Sequence, residues 1–184
     1  MHPWHDVYVD EQLLEKSLPV IIEVPKGSKN KYELDKETGL LKLDRVLYSA
    51  VHYPANYGFI PRTFCDDGDP LDALVLSQEP VQPLTLMHAR PVAVMRMRDE
   101  KGLDDKIIAV AAGDPHYEDI TDLDGLPKHI VREMKRFFED YKTLENKEVV
   151  VDEPLGFTDT MATLRESMDL YRKLRRGEVK FVHD

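Results

Sequence analysis

Asp66-Asp67-Gly68-Asp69-Pro70-Leu71-Asp72-Ala73-Leu74-Val75-Leu76 runs from a bend crowded with carboxylates straight into a short apolar segment. Gly68 and Pro70 break regular structure, so the aspartates sit on a turn and not along one helix face. Like charges at this density repel one another unless cations neutralise them, and hard divalent ions such as Mg²⁺ prefer oxygen ligands of this kind. Taken alone, the loop reads either as a metal site or as a solvated acidic turn. It is not an EF-hand, because Pro70 and Leu71 fall where ligand and spacer are needed and no Gly-x₅-Glu follows.

Upstream of the bend lies Tyr53-Pro54-Ala55-Asn56-Tyr57-Gly58, and beyond it the chain breaks into short strand-like runs. Val20-Ile21-Ile22-Glu23-Val24 reads as a strand stopped at Pro25. Lys31-Tyr32-Glu33-Leu34-Asp35 alternates polar and apolar residues, then turns through Lys36-Glu37-Thr38-Gly39 into residues 40–47. Downstream, residues 90–97 and 106–112 predict a second hairpin, joined by the charged loop 98–105. Short connected strands over the first ~110 residues favour a small barrel or sandwich.

The last third predicts helices. Pro127 suits a first helical turn, with Ile130, Met134, Phe137, Phe138 and Tyr141 following at helical spacing. A second helix is expected from Thr158 or Asp159 as N-cap, burying Met161, Leu164, Met168 and Tyr171 and ending at Gly177 after Lys173, Arg175 and Arg176. No repeat, low-complexity tract or flexible linker divides the chain. One α+β domain over residues 1–184, with its helices at the C-terminal end, is the expected organisation.

Composition bounds the function. The 25 basic and 35 acidic residues leave a net charge of −10, which disfavours nonspecific binding to nucleic acid or to an anionic membrane. A single cysteine, Cys65, excludes an internal disulfide and suits a reducing compartment. The start, Met1-His2-Pro3-Trp4-His5-Asp6, has no secretory pattern, and no apolar run approaches the ~20 residues that cross a bilayer. The expectation is a cytoplasmic protein.

Several residues outside the bend are candidates for chemistry. Asp99 and Asp104 bracket the second hairpin's tip, and Lys106 shares a face with Asp104. Such a tip is ordinarily solvated; placed against the acidic bend, it would help to hold several divalent ions. Glu23 interrupts an apolar strand, so it is either on a solvated face or buried against a cation. Lys31 and Glu33 share one strand face, and Arg45 keeps the parity of Leu41 and Leu43, which turns its guanidinium toward the buried side. Lys and Arg from separate strands form the donor set that clamps phosphate oxygens, or else are ordinary surface charges. Tyr141 and Lys142 either close the core and complement a helix C-terminus or reach a phosphate. The histidines show no metal or catalytic spacing.

These segments together resemble the family I soluble inorganic pyrophosphatases of the short prokaryotic type, over nearly the whole chain. The matching elements are Ile22-Glu23-Val24-Pro25, Lys31-Tyr32-Glu33, Leu43-Asp44-Arg45, Tyr53-Pro54-Ala55-Asn56-Tyr57-Gly58, Asp67-Gly68-Asp69-Pro70-Leu71-Asp72, Asp99-Glu100 with Asp104 and Lys106, and Phe137-Phe138-Glu139-Asp140-Tyr141-Lys142. The resemblance implies a five-stranded OB-like β-barrel flanked by C-terminal helices, with the site at one end of the barrel. It implies Mg²⁺ as cofactor, several ions per subunit, held by Asp67, Asp72, Asp99, Asp104 and Glu33. It casts Asp69 as the base for the attacking water, and Lys31, Arg45, Tyr57, Lys106, Tyr141 and Lys142 as the grip on two phosphate groups. Glu23 and Tyr53 would stand behind these groups and orient Lys and Asp partners. The His2-Pro3-Trp4-His5 start, Cys65 and the tail 180–184 depart from the family pattern, and the family points to a homo-oligomer, a hexamer.

The reaction so implied is hydrolysis of pyrophosphate to two orthophosphates by metal-activated water, in line and without a covalent intermediate. Two alternatives stand beside it. A Mg²⁺-dependent hydrolase of nucleotides or short polyphosphates would need a base-binding platform or a longer clamp. A noncatalytic OB-type binding module would need a basic, aromatic groove, which an acidic chain does not supply.

Overall fold

The computed structural model describes residues 1–180. The tail singled out above therefore lies, beyond Lys180, outside the described residues. In chain order the described residues form β1 (Leu18–Val24), β2 (Asn30–Leu34), β3 (Leu41–Val46), β4 (Asn56–Phe59), β5 (Asp72–Leu76), β6 (Leu86–Met95), β7 (Met97–Asp99), β8 (Gly102–Leu103), β9 (Lys106–Ala111), α1 (Lys128–Asp140), β10 (Val150–Val151) and α2 (Phe157–Arg175).

Five strands close into a barrel in the order β1-β4-β5-β9-β6. All neighbours are antiparallel except β5 and β9, which run parallel. Numbered within the barrel, the third strand lies beside the fifth and the fourth returns to close against the first, the OB-type connection expected above. β1, β4 and β9 are buried along their whole length, and β1 and β9, Glu23 and Lys106 apart, read as continuous apolar runs rather than alternating ones. Alternate residues nonetheless serve two cores: Leu74, Leu76, Ile108 and Val110 pack with Met134, Phe137 and Phe138 of α1, whereas Ala73, Val75, Ile107 and Ala109 join Met161, Leu164 and Met168 of α2.

Two local features set the barrel's geometry around the site. Gly58 lies so close to β1 that an added Cβ would fall 1.9 Å from the Ile21 carbonyl oxygen, so any side chain there would push β4 off β1. Beside it the register slips between Ile22 and Val24, leaving Glu23 as the extra residue of a β-bulge. A second slip, between Pro91 and Ala93 of β6, accommodates a proline inside a paired strand.

Three sequence expectations need correction. The strand expected over 90–97 ends at Met95; Met97–Asp99 leaves the barrel and pairs instead with β8 and β10, so the charged loop is itself a small hairpin. α2 begins at Phe157, with Gly156 and not Thr158 or Asp159 in the N-cap position. Its first N–H groups find a distant acceptor, the Asp122 carboxylate, which takes the Phe157 N–H at 2.9 Å. Third, the parity that linked Arg45 to Leu43 fails: Lys31 pairs with Arg45 but Tyr32 with Leu43, so Asp44 is bulged and the two residues turn to opposite faces. Leu43 is 54% exposed, while Arg45 does reach the site.

Candidate active site

One end of the barrel opens into a cleft of about 860 Å³. The resemblance implies that Asp67, Asp69, Asp72, Asp99, Asp104 and Glu33 serve metal and water, and Lys31, Arg45, Tyr57, Lys106, Tyr141 and Lys142 phosphate. All of them line this cleft, as does Glu23. Tyr53 does not; it lies in the core, its ring 5.1 Å from that of Tyr57 and 4.7 Å from that of Phe137.

The floor follows from the parallel register of β5 and β9, which sets Asp72 opposite Lys106 at the start of each strand. Lys106 is 2% exposed, and its ammonium bonds Asp72 Oδ2 and Asp104 Oδ1, each at 2.5 Å, with the Tyr57 and Phe138 rings 5.7 and 5.9 Å away. Burial alone would depress the Lys106 pKa, but Asp104 and Asp72 outweigh it and hold the ammonium charged. One ammonium cannot neutralise two carboxylates. Accordingly Asp72 is pushed up, by burial first, with Lys106 pulling it down and Asp104 pushing it further up, while the Tyr57 hydroxyl donates to Asp72 Oδ2 at 2.7 Å.

The walls come from separate elements. Lys142, just past α1, donates to Asp99 Oδ2 at 2.7 Å and lies 3.7 Å from Glu100. Burial raises the Asp99 pKa, but the bonds from Lys142 and the Lys101 N–H prevail and lower it. The preceding Tyr141 packs its ring against Phe137 and Phe138 and also lines the cleft, so it serves the core and the site at once. On the β2–β3 hairpin, Lys31 pairs with Glu33 and lies 3.3 Å from Asp44. Arg45 lies between Asp44, at 2.5 Å, and Glu145, whose Oε1 is 3.0 Å from Nε without hydrogen-bond alignment. Glu23 takes the buried alternative, but its direct partner is a backbone group and not a cation: Oε1 accepts the Leu34 N–H at 2.6 Å, fixing the end of β2 beside Glu33. Burial, reinforced by Asp72, pushes the Glu23 carboxyl to about 8.

The acidic bend closes the remaining side. Gly68 adopts φ +87°, a left-handed conformation that lets the chain fold back and place Asp67 and Asp69 on one turn. Asp67 Oδ1 accepts the Asp69 N–H at 3.0 Å. Burial pushes Asp67 to about 7, with Asp69, Asp72 and Asp104 adding to it and the Asp69 N–H only partly offsetting it. Asp69 pairs with Lys36, a residue absent from the sequence-derived set, as are Asp44 and Glu145. Their adjacency to named basic residues was the available signal for Asp44; nothing in the sequence marked Glu145 or Lys36, because their partners come from other elements.

Among the described residues no three carboxylate, imidazole or thiol groups converge into a ready-made cage for a metal. The donor set nevertheless fits one. The carboxylates crowd a single cleft, their oxygens suit hard cations, and Asp67 is a partly buried acid with like-charged neighbours, the circumstance a divalent ion would relieve.

Carboxylates for hard cations, interleaved with ammonium, guanidinium and phenol donors for anion oxygens, suit a small and highly charged oxyanion handled together with metal. Comparison with known proteins narrows that class. The family model for inorganic pyrophosphatase matches residues 20–172. Soluble inorganic pyrophosphatase 2 of Chlamydomonas reinhardtii is 52% identical over 172 residues, covering 94% of this chain and 89% of its own. A soluble inorganic pyrophosphatase of Solanum tuberosum is 54% identical over 170 residues, covering 92% of this chain and 80% of its own. The solved inorganic pyrophosphatase of Helicobacter pylori superposes with a TM-score of 0.86 at 45% identity, over 91% of this chain and 99% of that one. The chain belongs to the inorganic pyrophosphatase family.

Proposed function

We propose that this chain hydrolyses inorganic pyrophosphate to two orthophosphates, using Mg²⁺. The observation that carries the reading is the charge pattern of one cleft, where Asp72, Asp104, Asp99 and Glu33 each hold the ammonium of Lys106, Lys142 or Lys31. These lysines are the donors a pyrophosphate would need, and the carboxylates are the oxygens a divalent cation would need. Binding of either partner therefore releases groups for the other, and the two should bind cooperatively.

Asp67, Asp72, Asp99, Asp104 and Glu33 would hold Mg²⁺, which when bound neutralises phosphate charge and lowers the pKa of a water toward neutrality. Asp69, half-exposed on the bend beside Lys36, accepts the proton of the attacking water. Lys31 and Arg45 from the hairpin, and Lys106, Tyr57, Tyr141 and Lys142 from the barrel and α1, orient the two phosphate groups and stabilise the charge that develops on the leaving one. No nucleophilic side chain enters the scheme. Cys65 is half-buried, and burial followed by the charge of Asp67 and Asp72 pushes its thiol far from the reactive thiolate form.

A homohexamer in the cytoplasm, formed as one domain, completes the proposal. In support of the compartment, a single cysteine leaves no internal disulfide to form. Phosphate release from pyrophosphate with and without Mg²⁺, with ATP and tripolyphosphate alongside, tests the activity. Pyrophosphate is expected to be the preferred substrate and chelator to abolish turnover; equal rates on ATP, or full activity in metal-free protein, would refute the assignment.

A further inference from the structure

Lys36 opens the turn between β2 and β3, and its ammonium reaches over to the acidic bend. There it pairs with the Asp69 carboxylate and donates to the Gly68 carbonyl at 3.2 Å. The backbone of Asp69 is held independently, its N–H by Asp67 Oδ1 at 3.0 Å and its carbonyl by the Cys65 N–H at 2.8 Å. The carboxylate itself is half-exposed, and the Lys36 ammonium is the cation that engages it. Lys36 is in turn anchored from behind. Its carbonyl meets His2 Nε2 at 2.9 Å, and Gly39 in the same turn packs so closely on the N-terminal segment that an added Cβ would lie 3.3 Å from the His2 ring.

We propose that Lys36 is a positioning residue for Asp69, fixing the direction of its carboxylate through a bridge from the β2–β3 turn to the acidic bend. The inference rests on the reading of Asp69 as the proton acceptor. The two side chains are 39% and 43% exposed, and ion pairs that open to solvent contribute little to folding. The value of the contact is geometric: a reacting group free to swing out of line spends less time in the productive arrangement. The same bridge joins the hairpin that carries Lys31, Glu33 and Arg45 to the loop that carries Asp67.

The test compares wild type, Lys36→Gln and Lys36→Arg in pyrophosphate hydrolysis at saturating Mg²⁺, together with amide hydrogen exchange over residues 64–71 in the same metal-free proteins. In Lys36→Gln kcat is expected to fall by about 10- to 100-fold, the scale for a misplaced reacting group, with KM unchanged. Lys36→Arg should recover most of the rate, exchange in the bend should quicken in Lys36→Gln alone, and the melting temperature should stay at the wild-type value in both. A raised KM with kcat preserved would make Lys36 a phosphate ligand and overturn the positioning role. Wild-type kcat in Lys36→Gln would overturn it outright, as would equal losses in both variants with a lowered melting temperature, which mark a structural prop. Failure of the wild type to hydrolyse pyrophosphate would refute the proposed function itself, and this inference with it.

Discussion

Two carboxylates three residues apart, Asp69 and Asp72, can differ completely in role when their surroundings differ. Asp72 is largely buried, bonded by Lys106 and Tyr57, and crowded by Asp104; Asp69 is half-exposed and paired with Lys36. In the proposed mechanism the first would share a cation and the second would meet a water. Asp69→Asn should therefore fold and titrate Mg²⁺ normally while losing about 10²–10⁴-fold in rate, the usual contribution of a general base. Asp72→Asn should instead raise the Mg²⁺ concentration needed for half-maximal rate. Activity measured across a Mg²⁺ titration separates them, and parallel curves with the same modest loss would contradict the division of labour. The identity of these acids was readable in the sequence, since the Asp-Gly-Asp-Pro-x-Asp pattern places them within a few positions of each other. Their present partners were not, because each lysine arrives from a different strand or helix.

At the scale of elements, the N-terminal segment was the part least expected. Trp4 is fully buried and donates to the Thr63 carbonyl at 2.8 Å, while His5 stacks on its indole and lies 2.9 Å from the Tyr171 hydroxyl of α2. Partial burial, followed by the charges of His2 and Arg175, lowers the His5 pKa to about 4, below the ordinary 6.5, with Asp6 opposing. The unfolded chain then binds the proton more readily than the folded one, so stability is intact above pH 6.5 and declines as pH falls from 6.5 toward 4. With the discount that exposure demands, the effect is about 1 kcal/mol. Denaturant unfolding at pH 7 and pH 4.5 should show a shallower acid loss in His5→Asn than in wild type; identical losses would mean that His5 titrates as in the unfolded chain. The strands and helices themselves were legible, because apolar runs and helical spacing report burial directly. The bulges at Glu23 and Asp44 and the Asp122 cap on α2 were not, since each depends on a partner strand or a residue far away in sequence. Arg45 shows the cost of this: it reaches the cleft, but by a bulge that reverses the parity argued for it.

Across the whole molecule, the hydrophobic cores adjoin the charged cleft and share Tyr57 and Tyr141 with it. The cores close around apolar side chains of the barrel, its helices and the N-terminal segment, so folding should not wait on a metal. The cleft gathers 11 of the chain's 35 acidic residues, and an ion bound there would relieve repulsion present only in the folded state. Mg²⁺ should accordingly raise the melting temperature, by the equivalent of about 2.7 kcal/mol at a hundredfold excess over its dissociation constant. Chelator should return the protein to a lower but still cooperative transition. Scanning calorimetry across a Mg²⁺ series measures this directly, and a midpoint indifferent to Mg²⁺ would argue against a metal site in the cleft.

The buried indole of Trp4 gives the molecule an optical address. It is the single tryptophan of the chain, so its ultraviolet emission arises at one place, free of overlap from any other indole. That place is shielded from solvent and lies against Phe64, two residues before Asp66 and the acidic bend. Its spectrum should be blue-shifted and resistant to quenching by iodide, and a change in the bend should alter its intensity or lifetime without any attached dye. Stopped-flow fluorescence can thus time events at the cleft from within the native polypeptide.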